Sequence, residues 1–300
     1  MFERLTKWME NIQDNNAPKA DLSAEYPIGC ILMGAGIAKR FQAADPDAPN
    51  PYANETEKEH AKRMKEEERL AKHNAKLEAR GKYKVGENPV LKRFDNKLTA
   101  DYNGKPLIRH AADALSTIGF ASYIAVLREH ETGLALEGTP FRVVWNHSKK
   151  NFSPSLTIQF GILALPEGVK GALFAVGDQP HLSAVSTRKL CDKFMEDPSK
   201  IVVLTYEGTP GNPCIFPASL FDELLALDEG QNGKVVVGRH PELVETVEAE
   251  SIEEFADIDT KAELRIAQEE GIVRVLEDRE RAWEELNDRL RSERAEREKE

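Results

Sequence analysis

The stretch ILMGAGIAKRF, residues 31–41, joins an apolar run to two glycines and a Lys-Arg pair. That order suits a strand delivering a phosphate-binding turn, because Gly34 and Gly36 leave backbone N–H groups uncovered by side chains. Arg40 would add a planar guanidinium able to grip two phosphate oxygens. Two well-known phosphate signatures fail here. Dinucleotide binding needs a third small residue three positions past the second glycine, where this chain has Lys39. A P-loop needs Gly-Lys-Ser/Thr, and none follows. A bare G-x-G is also an ordinary tight turn, and Arg40 could equally close a surface ion pair. A second candidate, Asp178, comes after the apolar run GALFAV and one glycine. That puts a carboxylate where a strand ends, the edge at which open α/β sheets bind ligands.

The elements that must position these residues alternate. Strand-like runs occupy 28–33, 122–127, 141–145, 171–176 and 201–206, several of them continuous and β-rich, as in strands covered on both faces. Helical patterns fall at 107–118, 155–165, 183–195 and 217–227. The expected class is α/β: a Rossmann-like three-layer α/β/α fold with a mainly parallel sheet. That domain should span 26–270. Before it, residues 1–25 read as an amphipathic helix (Phe2, Leu5, Met9, Ile12) and a linker. Inside it, residues 43–93 carry 12 Lys/Arg and 10 Asp/Glu with few large apolar residues, the pattern of an inserted, solvated helical segment. After it, 271–300 reads as a charged helix with a narrow stripe of Trp283, Leu286 and Leu290. Both charged segments either meet a partner or stand in solvent.

Composition excludes several classes. The 300 residues are 40% hydrophobic and 31% charged with a net charge of -11, which disfavours broad attraction to nucleic acid or anionic lipid. No apolar run approaches the roughly 18 residues that span a bilayer. The first residues, MFERLTKWME, have charges inside their apolar positions, unlike a signal peptide. Cys30, Cys191 and Cys214 are too far apart for a zinc motif or disulfide framework and suit a reducing compartment. The expected location is the cytoplasm, with no membrane and no nucleic-acid partner.

Four stretches follow the first in order: NKLTADYNGKPLIRHAADAL (96–115), GDQPHLS (177–183), GNPCIFPASLF (211–221) and DIDTKAEL (257–264). Together with the opening stretch they resemble the MobA-like nucleotidyltransferases, and most of all the molybdenum cofactor cytidylyltransferases. That family opens on L-A-A-G-x-S-x-R-M-G-x-x-K and carries G-D-x-P at the end of a central strand. G-H-P-x-x-F and D-I-D-T-P-E-D-L follow. Met33-Gly34-Ala35-Gly36 matches L-A-A-G, and Arg40-Phe41 matches R-M. The matching lysine is Lys97, so the 43–93 segment splits the signature. Such an insertion is tolerable, because closure entropy grows only logarithmically with loop length.

The resemblance implies a nucleotidyltransferase fold and a distribution of roles. Arg40 and Lys97 would be the catalytic cations. Gly34, Ala35 and Gly36, with Ser153 and Ser155 of NFSPSL, would bind the nucleotide, and Asp178 and Asp259 would hold Mg²⁺. Asn212, Pro213 and Lys234 would face the acceptor. Some residues keep a second reading: Asp259 precedes TKAEL and Ser155 begins a helix, so each could be a helix cap. Ala38, Gln42, Asn151, Pro154 and Asn212 depart from the family pattern. Ala35 and Gln179 lean toward CTP, since one methyl at a close contact can disfavour a purine. The implied reaction moves CMP from CTP to the phosphorylated pterin of the molybdenum cofactor, releasing pyrophosphate and serving a hydroxylase-type molybdoenzyme. Transfer to a sugar or polyol phosphate is the enzymatic alternative. An accessory protein that binds nucleotide or cofactor and docks a molybdoenzyme is the non-enzymatic one.

Overall fold

The structure, a computed structural model, describes residues 21, 23–36, 41, 96–146, 148 and 153–297. The expected helix at 2–12, Arg40 and the 43–93 segment lie outside the described residues. The described chain forms two compact units, one from 21–36 and 105–257, the other from 41, 96–104 and 258–297.

The first unit is built on seven strands: β1 Tyr26–Gly34, β2 Phe120–Leu127, β3 Arg142–Trp145, β4 Gly171–Val176, β5 Ile201–Tyr206, β6 Thr209–Pro217 and β7 Val244–Glu248. Their order is β3-β2-β1-β4-β6-β5-β7. Every neighbouring pair runs parallel except the two that β6 makes, with β4 and with β5. The sheet is therefore mixed and mainly parallel. The expected runs at 171–176 and 201–206 coincide with β4 and β5. Continuous burial along IVVL and ALFA is what a strand covered on both faces requires. The antiparallel strand β6 escapes sequence reading because Pro210, Gly211 and Pro213 interrupt it, residues that normally argue against a central strand. It enters through a two-residue hairpin in which Glu207 (φ 48°) and Gly208 (φ 78°) both take left-handed geometry, the torsions such a turn needs. Edge strand β7, VETVE, is also hidden, since its alternating charges keep an exposed edge from pairing with other chains.

Helices cover both faces. One face carries α1 (Leu107–Ser116) and α4 (Ala184–Glu196), the latter capped by the Ser183 hydroxyl, which accepts from the N–H of Val185 and Ser186. The short α2 (His130–Leu134) packs beside β2. The other face carries α3 (Pro154–Leu163), α5 (Phe221–Leu225) and α6 (Lys234–Arg239). Apart from Pro154, Leu156 and Leu163, the helix α3 is buried nearly all round, which explains its lack of a polar face. Its close approach to the sheet depends on Gly161, where a Cβ would sit 2.7 Å from Cγ2 of Ile31 in β1.

In the second unit Asn96 caps a short 3₁₀ turn, Lys97–Thr99. Thr260 caps α7 (Lys261–Glu269) in a reciprocal box with Glu263. Gly271, at φ 93°, ends that helix and admits α8 (Ile272–Arg297). Among the described residues no helix is long and apolar enough to cross a membrane.

Gly161→Val should destabilise the protein by about 1–3 kcal/mol, because the overpacked Ile31 contact outweighs the gain in helix propensity. A urea unfolding series showing an unchanged midpoint would refute this account of the α3–β1 contact.

Candidate active site

Parallel register decides what meets at the carboxyl edge of the first unit. Gly34 pairs with Leu127, Leu127 with Trp145, and Met33 with Val176. The next residues along each strand are therefore Ala35-Gly36, Arg128, Asn146 and Gly177-Asp178. The N–H of Gly177 extends the ladder by donating to the Met33 carbonyl at 3.0 Å. Gly36 is exposed, and a Cβ built there would meet nothing within 4 Å, so its backbone is open to an approaching anion. Ala35 is different. It is 1% exposed and belongs to the apolar cluster beneath α3, so its methyl faces the core rather than a ligand. That removes the size argument by which Ala35 favoured CTP. Arg128 was missed by sequence reasoning, although the rule that found Asp178 would have found it: a charged residue directly after an apolar strand. Its Nη2 donates to the Ser148 carbonyl at 2.7 Å, and burial pulls its pKa below the ordinary guanidinium value.

Asp178 and Asp257, both half-buried, offer carboxylate oxygens within 4.8 Å of each other. Two anions that close repel, and a hard divalent cation relieves them. An all-oxygen donor set suits Mg²⁺ or Mn²⁺ and not zinc. Sequence reasoning chose Asp259 of DIDT, and the structure adds Asp257, two residues earlier. The signal lay in the alternation itself: Ile258 is fully buried, so the aspartates on either side of it in this extended stretch share the opposite side.

The serine pair has a structural task. Ser153, not Ser155, caps α3: its hydroxyl accepts from the N–H of Ser155 (3.2 Å) and of Gly230 (2.8 Å). The two hydroxyls are also 2.6 Å apart, and the residues are 7% and 2% exposed. Ser153 thus ties the loop before α6 to the start of α3. Beside them, within the first unit, lies a cavity of about 650 Å³ over β4, β5, β6 and β7, reached by Asn212 and Lys234. Pro213 is buried in β6, joined to Asn212 by a cis peptide bond.

In the second unit Lys97 is 7% exposed, and its Nζ lies 2.8 Å from Oδ1 of Asp259. Arg279 of α8 places Nη2 3.8 Å from the other oxygen of Asp259 and donates from Nε to Glu263 at 2.7 Å. Asp259 does not cap α7; its N–H donates to the Glu263 carboxylate at 2.7 Å. The structure therefore joins Lys97 and Asp259, which are 162 residues apart. Burial pushes the Glu263 carboxyl up, but the Arg279 guanidinium and the N–H groups of Asp259 and Thr260 outweigh it and hold the pKa below the usual value.

A family model described as the MobA-like NTP transferase domain matches residues 91–244. Among solved structures, a nucleotidyl transferase from Methanothermobacter thermautotroptrophicus is 22% identical, with a TM-score of 0.55 over 83% of this chain and 98% of its own. Rv0371c from Mycobacterium tuberculosis is 18% identical, with a TM-score of 0.54 over 81% and 98%. Its homologue from mycobacterium sp. strain JC1 is 13% identical, with a TM-score of 0.55 over 83% and 98%. At these identities the likeness is one of fold. No curated protein sequence matches significantly.

Glu263→Gln keeps the shape of the α7 cap and removes its charge. A carboxyl whose folded pKa is depressed stabilises fully above its unfolded value, here 4.5, and loses that contribution as pH falls through the folded value. The variant should be less stable by about 1–3 kcal/mol at neutral pH. Its deficit in melting temperature should close as pH falls below 4.5 and through the depressed folded value; a deficit independent of pH would count against the ion pair.

Proposed function

Because the chain belongs to the MobA-like NTP transferase family, we propose that it is a Mg²⁺-dependent nucleotidyltransferase that moves CMP from CTP to a phosphate group on a small molecule. The observation that carries this reading is the Asp178–Asp257 carboxylate pair, set at the sheet edge where the Gly34–Gly36 turn also emerges. A phosphate nucleophile attacking a triphosphate brings anions together, so charge compensation and alignment are the main catalytic tasks. Open backbone at Gly34 and Gly36 receives the triphosphate. Arg40, Lys97 and Arg128 supply positive charge. Asp178 and Asp257 hold the Mg²⁺, which when bound neutralises phosphate charge. Asp259 orients the Lys97 ammonium, the geometry a point charge needs if it is to meet one phosphate oxygen. Ser153 and Ser155 act on the nucleotide by shaping the loop before α3, given that both hydroxyls are engaged within the protein.

CTP is favoured by Gln179, in the same G-D-Q-P stretch as Asp178. Its Nε2 donates to the Phe255 carbonyl at 3.4 Å, and its buried Oε1 has no partner among the described residues. A buried amide oxygen left unmet favours a donor on the ligand, and the amino groups of cytosine, adenine and guanine all qualify, so the lean toward CTP rests on the family pattern at Gln179. Asn212, Pro213 and Lys234 belong to the acceptor side. The order of the motifs favours the phosphorylated pterin of the molybdenum cofactor as acceptor, with a hydroxylase-type molybdoenzyme as the eventual client.

Asp178→Ala should leave the melting temperature near that of the native chain yet lower pyrophosphate release by roughly a hundredfold or more. Near-normal turnover would remove Asp178 from the site. CTP with Mg²⁺ should raise the melting temperature more than GTP or ATP at equal concentration, since a ligand that binds the folded state stabilises it in proportion to its affinity. Equal shifts would end the assignment of the base.

A further inference from the structure

The cavity over β4, β5, β6 and β7 has walls unlike those of a site for a polar body. Met33, Ile158, Phe174, Phe216 and Val244 are among them. The polar side chains at its lining are Thr205, Asn212, Asn232, Lys234 and Thr246; among the described lining residues none is acidic, and Lys234 is the single cation. Lys234 is exposed, and no ion pair holds its ammonium among the described residues. Met33 and Val176, register partners on the last rung before the Gly34 turn and Asp178, also line the space, so the cavity adjoins the carboxyl edge. At about 650 Å³ it has the size of a site for a whole small molecule.

We infer that this cavity holds the body of the acceptor, and that the acceptor is a lipophilic phosphate monoester: an aliphatic or terpenoid-like chain carrying one phosphate, with that phosphate beside Lys234. The inference rests on the nucleotidyl-transfer reading, keeps its chemistry, and replaces the phosphorylated pterin as the acceptor. A pterin or a sugar brings many donors and acceptors, which these walls would strip of water without replacing the hydrogen bonds. An apolar chain loses nothing of that kind and gains by leaving water. In the reaction a phosphate oxygen of the acceptor bonds to the α-phosphorus of CTP. The bond from that phosphorus to its bridging oxygen breaks, and pyrophosphate departs with the electron pair.

The test is a series of butyl, hexyl and octyl monophosphates, kept below micelle-forming concentrations, against 6-hydroxymethylpterin phosphate and glycerol phosphate. Calorimetry reads binding, and pyrophosphate release with CTP and Mg²⁺ reads transfer. Affinity should rise about fourfold per added methylene. Lys234→Gln should weaken the whole series while keeping that slope. Gly238 of α6 lines the cavity and has open space where a Cβ would stand, so Gly238→Leu should flatten the slope while CTP still stabilises the protein. Affinity independent of chain length, or tighter binding of the pterin or glycerol phosphate than of the octyl ester, overturns the inference and leaves nucleotidyl transfer standing. Steep chain-length dependence with no pyrophosphate released from any acceptor keeps the apolar site and overturns the transfer reading.

Discussion

Everything at the candidate site depends on how β1 is held between β2 and β4. Its two parallel ladders are in register to the last residue, so the turn after β1 and the residues after β2 and β4 emerge at one edge. Parallel pairing needs helical crossovers that cover both faces, which is why β1 and β4 are apolar along nearly their whole length. Around β1 the polar and charged residues Arg128, Asn146 and Asp178 therefore follow the strand ends.

Charge compensation is the second organising demand. Asp178 and Asp257 bring two carboxylates within 4.8 Å and suit a divalent cation. Asp259 is answered by protein, with Lys97 at 2.8 Å and Arg279 at 3.8 Å. A buried ion pair of this kind is a poor source of net stability, since desolvation offsets most of the attraction. Its value lies in orientation. Lys97 comes from a short turn capped by Asn96, and Arg279 from the long C-terminal helix. That helix therefore takes part in setting the lysine, although its sequence reads as a plain charged tail.

The α/β class was legible in the sequence, and so was the strand end that carries the candidate site, for reasons visible in particular residues. GALFAV and IVVLTY are long enough, apolar enough and sharply enough bounded to be nothing but buried strands. TPGNPCIFP was not legible as a strand, because its prolines and glycine signal a loop and only tertiary pairing with β4 and β5 overrides them. Asp178 could be placed from the strand before it. The roles of Ser153 and Ser155 could not, since the partner that occupies Ser153 is Gly230, 77 residues away. Ala35 shows the reverse limit: its position in a motif suggested a ligand contact, and at 1% exposure its methyl belongs to the apolar core.

The reversed course of β6 bears on how such a fold can change its chemistry. A strand that runs against its neighbours contributes its beginning where they contribute their ends, so Pro210, Gly211 and Asn212 reach the cavity straight from the Glu207–Gly208 hairpin. A tight connection at the mouth can lengthen or shorten without shifting Ile215 and Phe216, which stay locked in pairing further down. Evolution could thus retune selectivity at this one corner while the paired strands below go untouched.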